Sequence, residues 1–295
     1  MFLVSILSLL GLLWMARAAA HALIMRGLRA PRVAAQVSPQ DLGFEALHVH
    51  LPGPNDKTLF AWFIPARGVA KAPAVLVMHG WGANASMMLS SAAPLSTAGF
   101  AVLLLDARCH GASGDEAFTS LPRFAQDIEA GLDWLSLAPQ VDATHMAVIG
   151  HSVGAGAALL SATRRPDIRA VISISAFAHP YEVMRRLLAT HHIPYFGVGW
   201  YVLRHVQHVI GARFDDIAPI RSITHVRCPV LLVHGKNDDM VPFDDARRLL
   251  AAGNSGQVQL LAVAGRHDPI EALQAEQMQL VGFLRAQLAP PQQVQ

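Results

Sequence analysis

The chain runs to 295 residues with a formal net charge of +2, and 53% of its residues are hydrophobic against 15% charged. So balanced a charge, without a basic stripe, argues against nucleic acid as a partner, and the length suits one large α/β domain or two small ones with a full core. Cys109 and Cys228 lie far apart without disulfide or metal-ligand spacing, and His191-His192 and His205-x-x-His208 have only the Asp215-Asp216 pair as a source of carboxylates, so no metal is expected.

Residues 2–25 are apolar apart from small polar residues, Arg17 and His21. As a helix, residues 2–16 span about 22 Å against a hydrocarbon core of about 30 Å, whereas extension to Met25 gives about 36 Å and takes in Arg17. Eleven Leu, Ile, Val and Phe residues in this stretch, at about −0.3 to −0.6 kcal/mol each, outweigh one arginine at about +2.5 to +3.5 kcal/mol. Arg17 is also off centre and can snorkel. Insertion is expected, and we read residues 1–26 as a retained single-pass membrane anchor. Ala16-Arg17-Ala18 and Ala18-Ala19-Ala20 also read as cleavage sites, so a signal peptide, with a secreted or periplasmic domain, stands as the alternative; the positively charged start of such peptides is missing. Arg26, Arg29 and Arg32 lie on the other flank, which the positive-inside rule places, with the rest of the chain, on the cytoplasmic side.

Residues 27–43, with Pro31 and Pro39, read as a linker. Residues 44–51 and 58–64 are two strand-like runs joined by Pro52-Gly53-Pro54-Asn55-Asp56, a hairpin signal. Beyond them short apolar strands (74–78, 100–105, 146–149, 168–175, 230–233 and 258–263) alternate with helical runs (85–98, 121–137, the run after Ser152, 244–252 and 269–288). Apolar strands between helices mean a mostly parallel sheet covered on both faces. Functional groups should then gather at the carboxyl ends of the strands.

The run 146–149 breaks at Gly150 into Gly150-His151-Ser152-Val153-Gly154, a G-x-S-x-G pattern before a helix-compatible run at 155–162. Such a turn is so tight that only glycine fits on either side of the serine. It lifts Ser152 Oγ clear of the sheet and leaves the following N–H groups free at a helix N-terminus. A glycine-rich turn with a capping serine gives the same pentapeptide. A dinucleotide loop fits less well: Gly154-x-Gly156 begins one, but the third glycine position is Leu159, and no acidic residue lies near the next strand's end at Ala176.

Four strand ends carry residues able to do chemistry. His79-Gly80-Trp81-Gly82 follows Met78, and Ser152 follows Ile149. His234-Gly235-Lys236-Asn237-Asp238-Asp239-Met240-Val241-Pro242 follows Val233, and Ala264-Gly265-Arg266-His267 follows Val263. The chain order is serine, acid, histidine, each after a separate strand.

With these residues in place, the sequence resembles the α/β-hydrolase superfamily over roughly residues 44–288, and within it membrane-anchored hydrolases grouped with the serine aminopeptidase and prolyl-oligopeptidase-like domains. The resemblance rests on His79-Gly80-x-Gly82, Asp106-x-Arg108-x-His110-Gly111-x-Ser113, Gly150-x-Ser152-x-Gly154, His234-Gly235-x-x-Asp238-x-x-Val241-Pro242 and His267. It departs from the family pattern at Cys109 and at Arg266, both where glycine is common. What the resemblance implies is the α/β-hydrolase fold, with an N-terminal hairpin and a helical lid, and no cofactor. Ser152 is then the nucleophile, His267 the base and Asp238 the acid that orients it, with the N–H groups of Trp81 and Val153 as the oxyanion hole, each worth about 3 kcal/mol. His79, Gly80, Asp106, Arg108, His110, Gly150, His151 and Gly154 are expected to support these loops. Asp239 competes with Asp238, but the His-Gly-x-x-Asp spacing favours Asp238. Asp268 reads as a cap for the last helix, with Pro269 in its first turn.

Residues 176–227 interrupt the alternation and carry Phe177, Tyr181, Tyr195, Phe196, Trp200, Tyr201 and Phe214, with helices expected at about 180–191 and 198–210. An insertion here would lie above the strand ends as a lid over Ser152. Its rings suit an apolar acyl or leaving group, although they would serve equally to pack the lid onto the core. The expectation is a hydrolase of carboxylic esters or thioesters acting on a small, lipid-like acyl substrate through an acyl-enzyme. Two other readings stay open: a serine peptidase, whose amine anchor in the lid would have to be Glu182, Asp215 or Asp216, and a non-catalytic tethered scaffold. Residues 289–295 form a tail, and oligomeric state is not legible.

Overall fold

The computed structural model of the protein describes residues 2–268 and 275–288. Helix α1 (Phe2–Gly27) precedes the strands β1 (Leu47–Gly53), β2 (Lys57–Ile64), β3 (Ala72–Met78) and β4 (Ala101–Leu105), with α2 (Leu89–Thr97) between the last two. Then come α3 (Leu121–Leu137), β5 (Val141–His151), α4 (Val153–Arg164) and β6 (Ile168–Ile174). The insertion holds α5 (Pro180–Thr190), a turn at Tyr195–Gly199, α6 (Trp200–Ile210), α7 (Phe214–Ile217) and α8 (Pro219–Ser222). The chain closes with β7 (Val230–Gly235), α9 (Phe243–Ala252), β8 (Val258–Val263) and α10 (Gln277–Leu288). The expected start of the last helix at Pro269 and the tail at 289–295 lie outside the described residues.

Eight strands form one sheet in the order β1-β2-β4-β3-β5-β6-β7-β8. β2 runs antiparallel to β1 and β4, and the others pair in parallel. This is the expected α/β-hydrolase fold, and its physics is visible along any central strand. In β3, Leu76 and Met78 point into one core while Val75 and Val77 point into the other. In β4, Leu103 and Leu105 take the first side and Val102 and Leu104 the second. Successive side chains leave a strand on opposite faces, so a strand covered on both faces must be apolar throughout.

The helices divide between those faces. On α3, Phe124, Ile128, Leu132 and Leu135 line one stripe at the 3.6-residue period and join the first core with Leu249 of α9 and Ala155, Ala158 and Leu159 of α4. Leu89, Ala92 and Leu95 of α2 and Val281, Leu284 and Leu288 of α10 cover the other face.

Several elements differ from the sequence reading. The strand expected at 44–51 is β1 at 47–53, because Pro52 and Gly53 of the expected joint pair with Thr58 and Lys57. The run at 85–98 divides into a 3-10 turn at Ala85–Met88 and α2. Asn84 explains the start, because its side chain accepts the Ser86 N–H and winds the first turn tightly. β5 extends well beyond the apolar 146–149 core, back to Val141 and on to His151, because Val141 pairs with Ala72. The insertion carries two more short helices, α7 and α8, capping the segment that leads to β7.

Within α1, Val4–Gly27 is long and apolar enough to cross a membrane by length and composition, at a mean hydropathy of 1.6. Its C-terminal end is seated on the domain: Ile24 and the following Leu28 are buried in the first core, and His21 Nδ1 lies 2.9 Å from His205 Nε2 on α6. The residues after α1, read as a linker, lie along the domain. The Arg32 guanidinium donates to the carbonyls of Gly111 (2.6 Å) and Ser113 (2.8 Å) and pairs with Asp115 at 2.6 Å. The Asn84 side chain donates to Val33 O at 2.8 Å.

Candidate active site

Ser152 stands between β5 and α4 with φ 53° and ψ −114°, a left-handed backbone that costs a non-glycine residue of the order of 1–3 kcal/mol. The flanking glycines make the turn feasible. A Cβ on Gly150 would lie 2.2 Å from the carbonyl oxygen of Gly154, and one on Gly154 would lie 2.4 Å from that of His79. The Ser152 N–H donates to Ile174 O at 2.8 Å, pinning the turn to β6.

From this serine a line of hydrogen bonds runs to a buried carboxylate. Ser152 Oγ lies 2.9 Å from His267 Nε2, and His267 Nδ1 lies 2.9 Å from Asp238 Oδ2. The carboxylate accepts only, so Nδ1 carries the proton toward Asp238, and Nε2 is left to accept from the hydroxyl. Asp238 Oδ1 accepts the Val241 N–H at 2.7 Å and the Met240 N–H at 3.0 Å. Burial pushes the Asp238 carboxyl up, but hydrogen bonds from His234, His267 and the Val241 N–H overcome it and hold the group well below the usual carboxylate range. Asp239 faces outward and pairs with Arg266 at 3.7 Å.

His234 is a partner that sequence reasoning quoted without a role. Its Nε2 donates to Val241 O at 3.0 Å and lies 3.3 Å from Asp238 Oδ2, so the buried ring closes the acid's loop from beneath. His151 does the same for the histidine, its Nε2 donating to His267 O at 2.9 Å.

The loop after β3 is held by two more buried histidines. His79 accepts the Ala107 N–H at Nε2 (3.0 Å) and donates from Nδ1 to Gly80 O (2.7 Å). His110 accepts the Gly82 N–H at Nε2 (3.1 Å) and lies 3.0 Å from Arg108 O at Nδ1. Burial lowers each to about 4, so both rings are neutral near pH 7. In this turn the Ala83 N–H donates to Gly80 O and the Gly82 N–H is taken by His110. Val153 is the first residue of α4, where a helix N–H has no acceptor one turn back. Asp106 receives the Ala85 N–H on Oδ1 at 2.7 Å and the Ala112 N–H on Oδ2 at 2.8 Å, joining the same loops.

Arg108 reaches the other way. Its guanidinium is fully buried and pairs with Asp127 on α3 at 2.7 Å and with Glu116 at 3.4 Å. Neither acid carries a motif in the sequence; an aspartate in the apolar stripe of α3 is the one legible hint of a buried pair.

In the insertion, Tyr181 and Tyr195 join hydroxyls at 2.8 Å, and the Arg185 guanidinium lies over the Tyr195 ring at 4.6 Å. Each carboxylate of the insertion that could anchor an amine is paired: Glu182 with Arg248 at 2.7 Å, Asp215 with Arg213 at 3.1 Å, and Asp216 with Arg221 at 3.7 Å. Among the described residues, no group of three or more His, Cys, Asp or Glu is placed to hold a metal ion.

Chemically, a hydroxyl, an imidazole and a buried carboxylate in line can move a proton off the hydroxyl as it attacks an acyl carbon. Comparison with known proteins gives the family and the fold. Residues 70–207 match the family described as serine aminopeptidase, S33. An uncharacterized protein of Mycobacterium tuberculosis is 30% identical over 220 residues, 75% of this chain and 72% of that protein. The sn-1-specific diacylglycerol lipase of Mus musculus is 34% identical over 102 residues, 34% of this chain and 31% of the lipase. Among solved structures, an esterase of Pyrococcus furiosus superposes with a TM-score of 0.71 at 22% identity, covering 88% of this chain and all of that one, a likeness of fold.

Proposed function

This chain belongs to the α/β-hydrolase superfamily, and from that premise we propose that it is a serine hydrolase cleaving carboxylic ester or thioester bonds of apolar, lipid-like acyl substrates. The observation that carries the reading is the hydrogen-bonded line from Ser152 through His267 to Asp238. In this reading Ser152 Oγ attacks the acyl carbon while its proton passes to His267 Nε2. The oxyanion forms against the N–H groups of Trp81 and Val153. The tetrahedral intermediate collapses as His267 returns the proton to the departing alkoxide or thiolate, leaving an acyl-enzyme. Water, deprotonated by His267, then releases the acid and restores the serine. Asp238, held ionised, keeps the imidazole in the required tautomer and steadies its charged form.

Substrate class follows from the lid. A peptidase that recognises a free amine needs an unpaired carboxylate, and Glu182, Asp215 and Asp216 are each engaged by an arginine. The aromatic lid suits an acyl chain better. We take α1 as a membrane anchor that holds this lid beside its substrates, with the domain on the cytoplasmic side.

A fluorophosphonate probe tests the nucleophile: it labels the wild type and leaves Ser152→Ala unlabelled. Labelling that persists in Ser152→Ala ends the assignment. Esters and thioesters graded by chain length, run beside aminoacyl anilides, test the substrate class; faster cleavage of the anilides would make the chain a peptidase, and silence with both probe and panel a scaffold.

A further inference from the structure

We propose that the turn between α5 and α6 is a second membrane contact, inserted into the interfacial layer of the bilayer that α1 crosses; this rests on the reading of α1 as an anchor. Three observations carry it. The first is the turn itself: Phe196 is 89% exposed, Val198 57% and Trp200 55%, three large apolar side chains within five residues. Aromatic side chains of this kind favour the headgroup boundary, and tryptophan most characteristically.

The second is where α1 meets the domain. Ile24 and Leu28 are buried, His21 touches His205 in the middle of α6, and α1 packs against α6. The chain N-terminal to that contact therefore leads outward past the lid. The third is length. From Phe2 to the His21 contact the helix rises about 30 Å, enough to cross the hydrocarbon core. With His21 held against His205 and Ile24 and Leu28 buried, no free stalk separates the helix from the domain. The surface of α6 beside His21 therefore lies at headgroup level. Trp200 lies one and a half turns from His205 on the same helix, and Phe196 and Val198 stand on the turn that leads into it. Arg17, one turn before His21 on α1, and Arg204, next to His205 on α6, are exposed, and their long side chains can reach lipid phosphates.

The test uses the full chain reconstituted into phosphatidylcholine vesicles. An environment-sensitive fluorophore is placed at Phe196→Cys and, as control, at Val69→Cys, an exposed site in the loop before β3 at the opposite, amino end of the parallel strands. Flotation with the vesicles first reports the anchor. In floated protein, the label at 196 is expected to shift to the blue and to be quenched at least several-fold more by lipids brominated near the headgroup than the label at 69. Equal, water-like emission from both positions in floated protein overturns the lid contact and leaves the anchor standing. Failure to float overturns the anchor and the lid contact with it, while leaving the fluorophosphonate result untouched.

Discussion

Ser152 and His267 are 115 residues apart in the chain, yet their side chains meet at 2.9 Å. The meeting is not automatic. β8, which precedes His267, is three strands away from β5, which precedes Ser152, a lateral gap of about 14 Å at normal strand spacing. The loop after β8 has to cross back over β7 and β6, and His151, next to the serine, holds it there through the His267 carbonyl at 2.9 Å.

That bond makes His151 a positioning residue. His151→Phe keeps the ring volume and removes the donor; turnover is expected to fall by about 10-fold to 100-fold, the usual cost of a small displacement of a reacting group. Ester kinetics should show the loss in kcat more than in KM. Unchanged kcat would mean that the loop holds itself.

The two adjacent aspartates should separate cleanly. Asp238→Asn is expected to lower kcat by about 10⁴, as when a carboxylate that fixes a catalytic tautomer is neutralised. Asp239→Asn breaks a surface pair with Arg266, whose side chains are 61% and 80% exposed, and should change neither turnover nor stability measurably. Steady-state kinetics of the two variants side by side decides it.

The strained turn predicts a stability gain on loss of activity. Ser152→Gly removes the side chain from a backbone at φ 53° and ψ −114°, whereas Ser152→Ala keeps the strain. Thermal melts should place Ser152→Gly above Ser152→Ala by about 1 kcal/mol, with both variants inactive. The reverse order would mean that the surrounding contacts, and not the glycine-like backbone, limit this turn.

His79 and His110 set an acid limit. Both are fully buried, and burial lowers each to about 4 from an ordinary value of 6.5. As pH falls below about 6.5 the unfolded chain takes up protons at these positions and the folded one does not, so stability drops until about pH 4 and levels off below it. Each ring contributes of the order of 3 kcal/mol to that loss. Urea midpoints measured from pH 7 to 4 should show the decline. His110→Asn, which retains an acceptor for the Gly82 N–H, should make it shallower.

Much of this is legible from residue order because the relevant signals are local. Strands apolar on both faces stand out as unbroken runs, and the glycine–serine turn announces itself by steric necessity. Arg108 is quotable as part of a motif, and Asp127 falls on the apolar stripe of α3, but nothing in the residue order says that these two meet. His234 carries no role in the sequence and His151 only a general one in supporting loops, until coordinates show which carbonyl or carboxylate each meets. α7 and α8, at four residues each, are too short for a period to register. Arg32 gives no sign of its contacts: two acceptors are backbone carbonyls some eighty positions away, which have no letter in a sequence, and the third, Asp115, belongs to no motif.

The grip of Arg32 has a mechanical meaning. A slack tether would let a membrane-held domain swivel and would keep tension on the helix away from the chemistry. Here Arg32 clasps the 111–113 backbone, and that segment leads directly back to His110, whose ring bears on the Gly82 N–H. Any pull, tilt or twist of α1 is therefore delivered within a few bonds to the loop bearing Trp81, with no compliant spacer to absorb it.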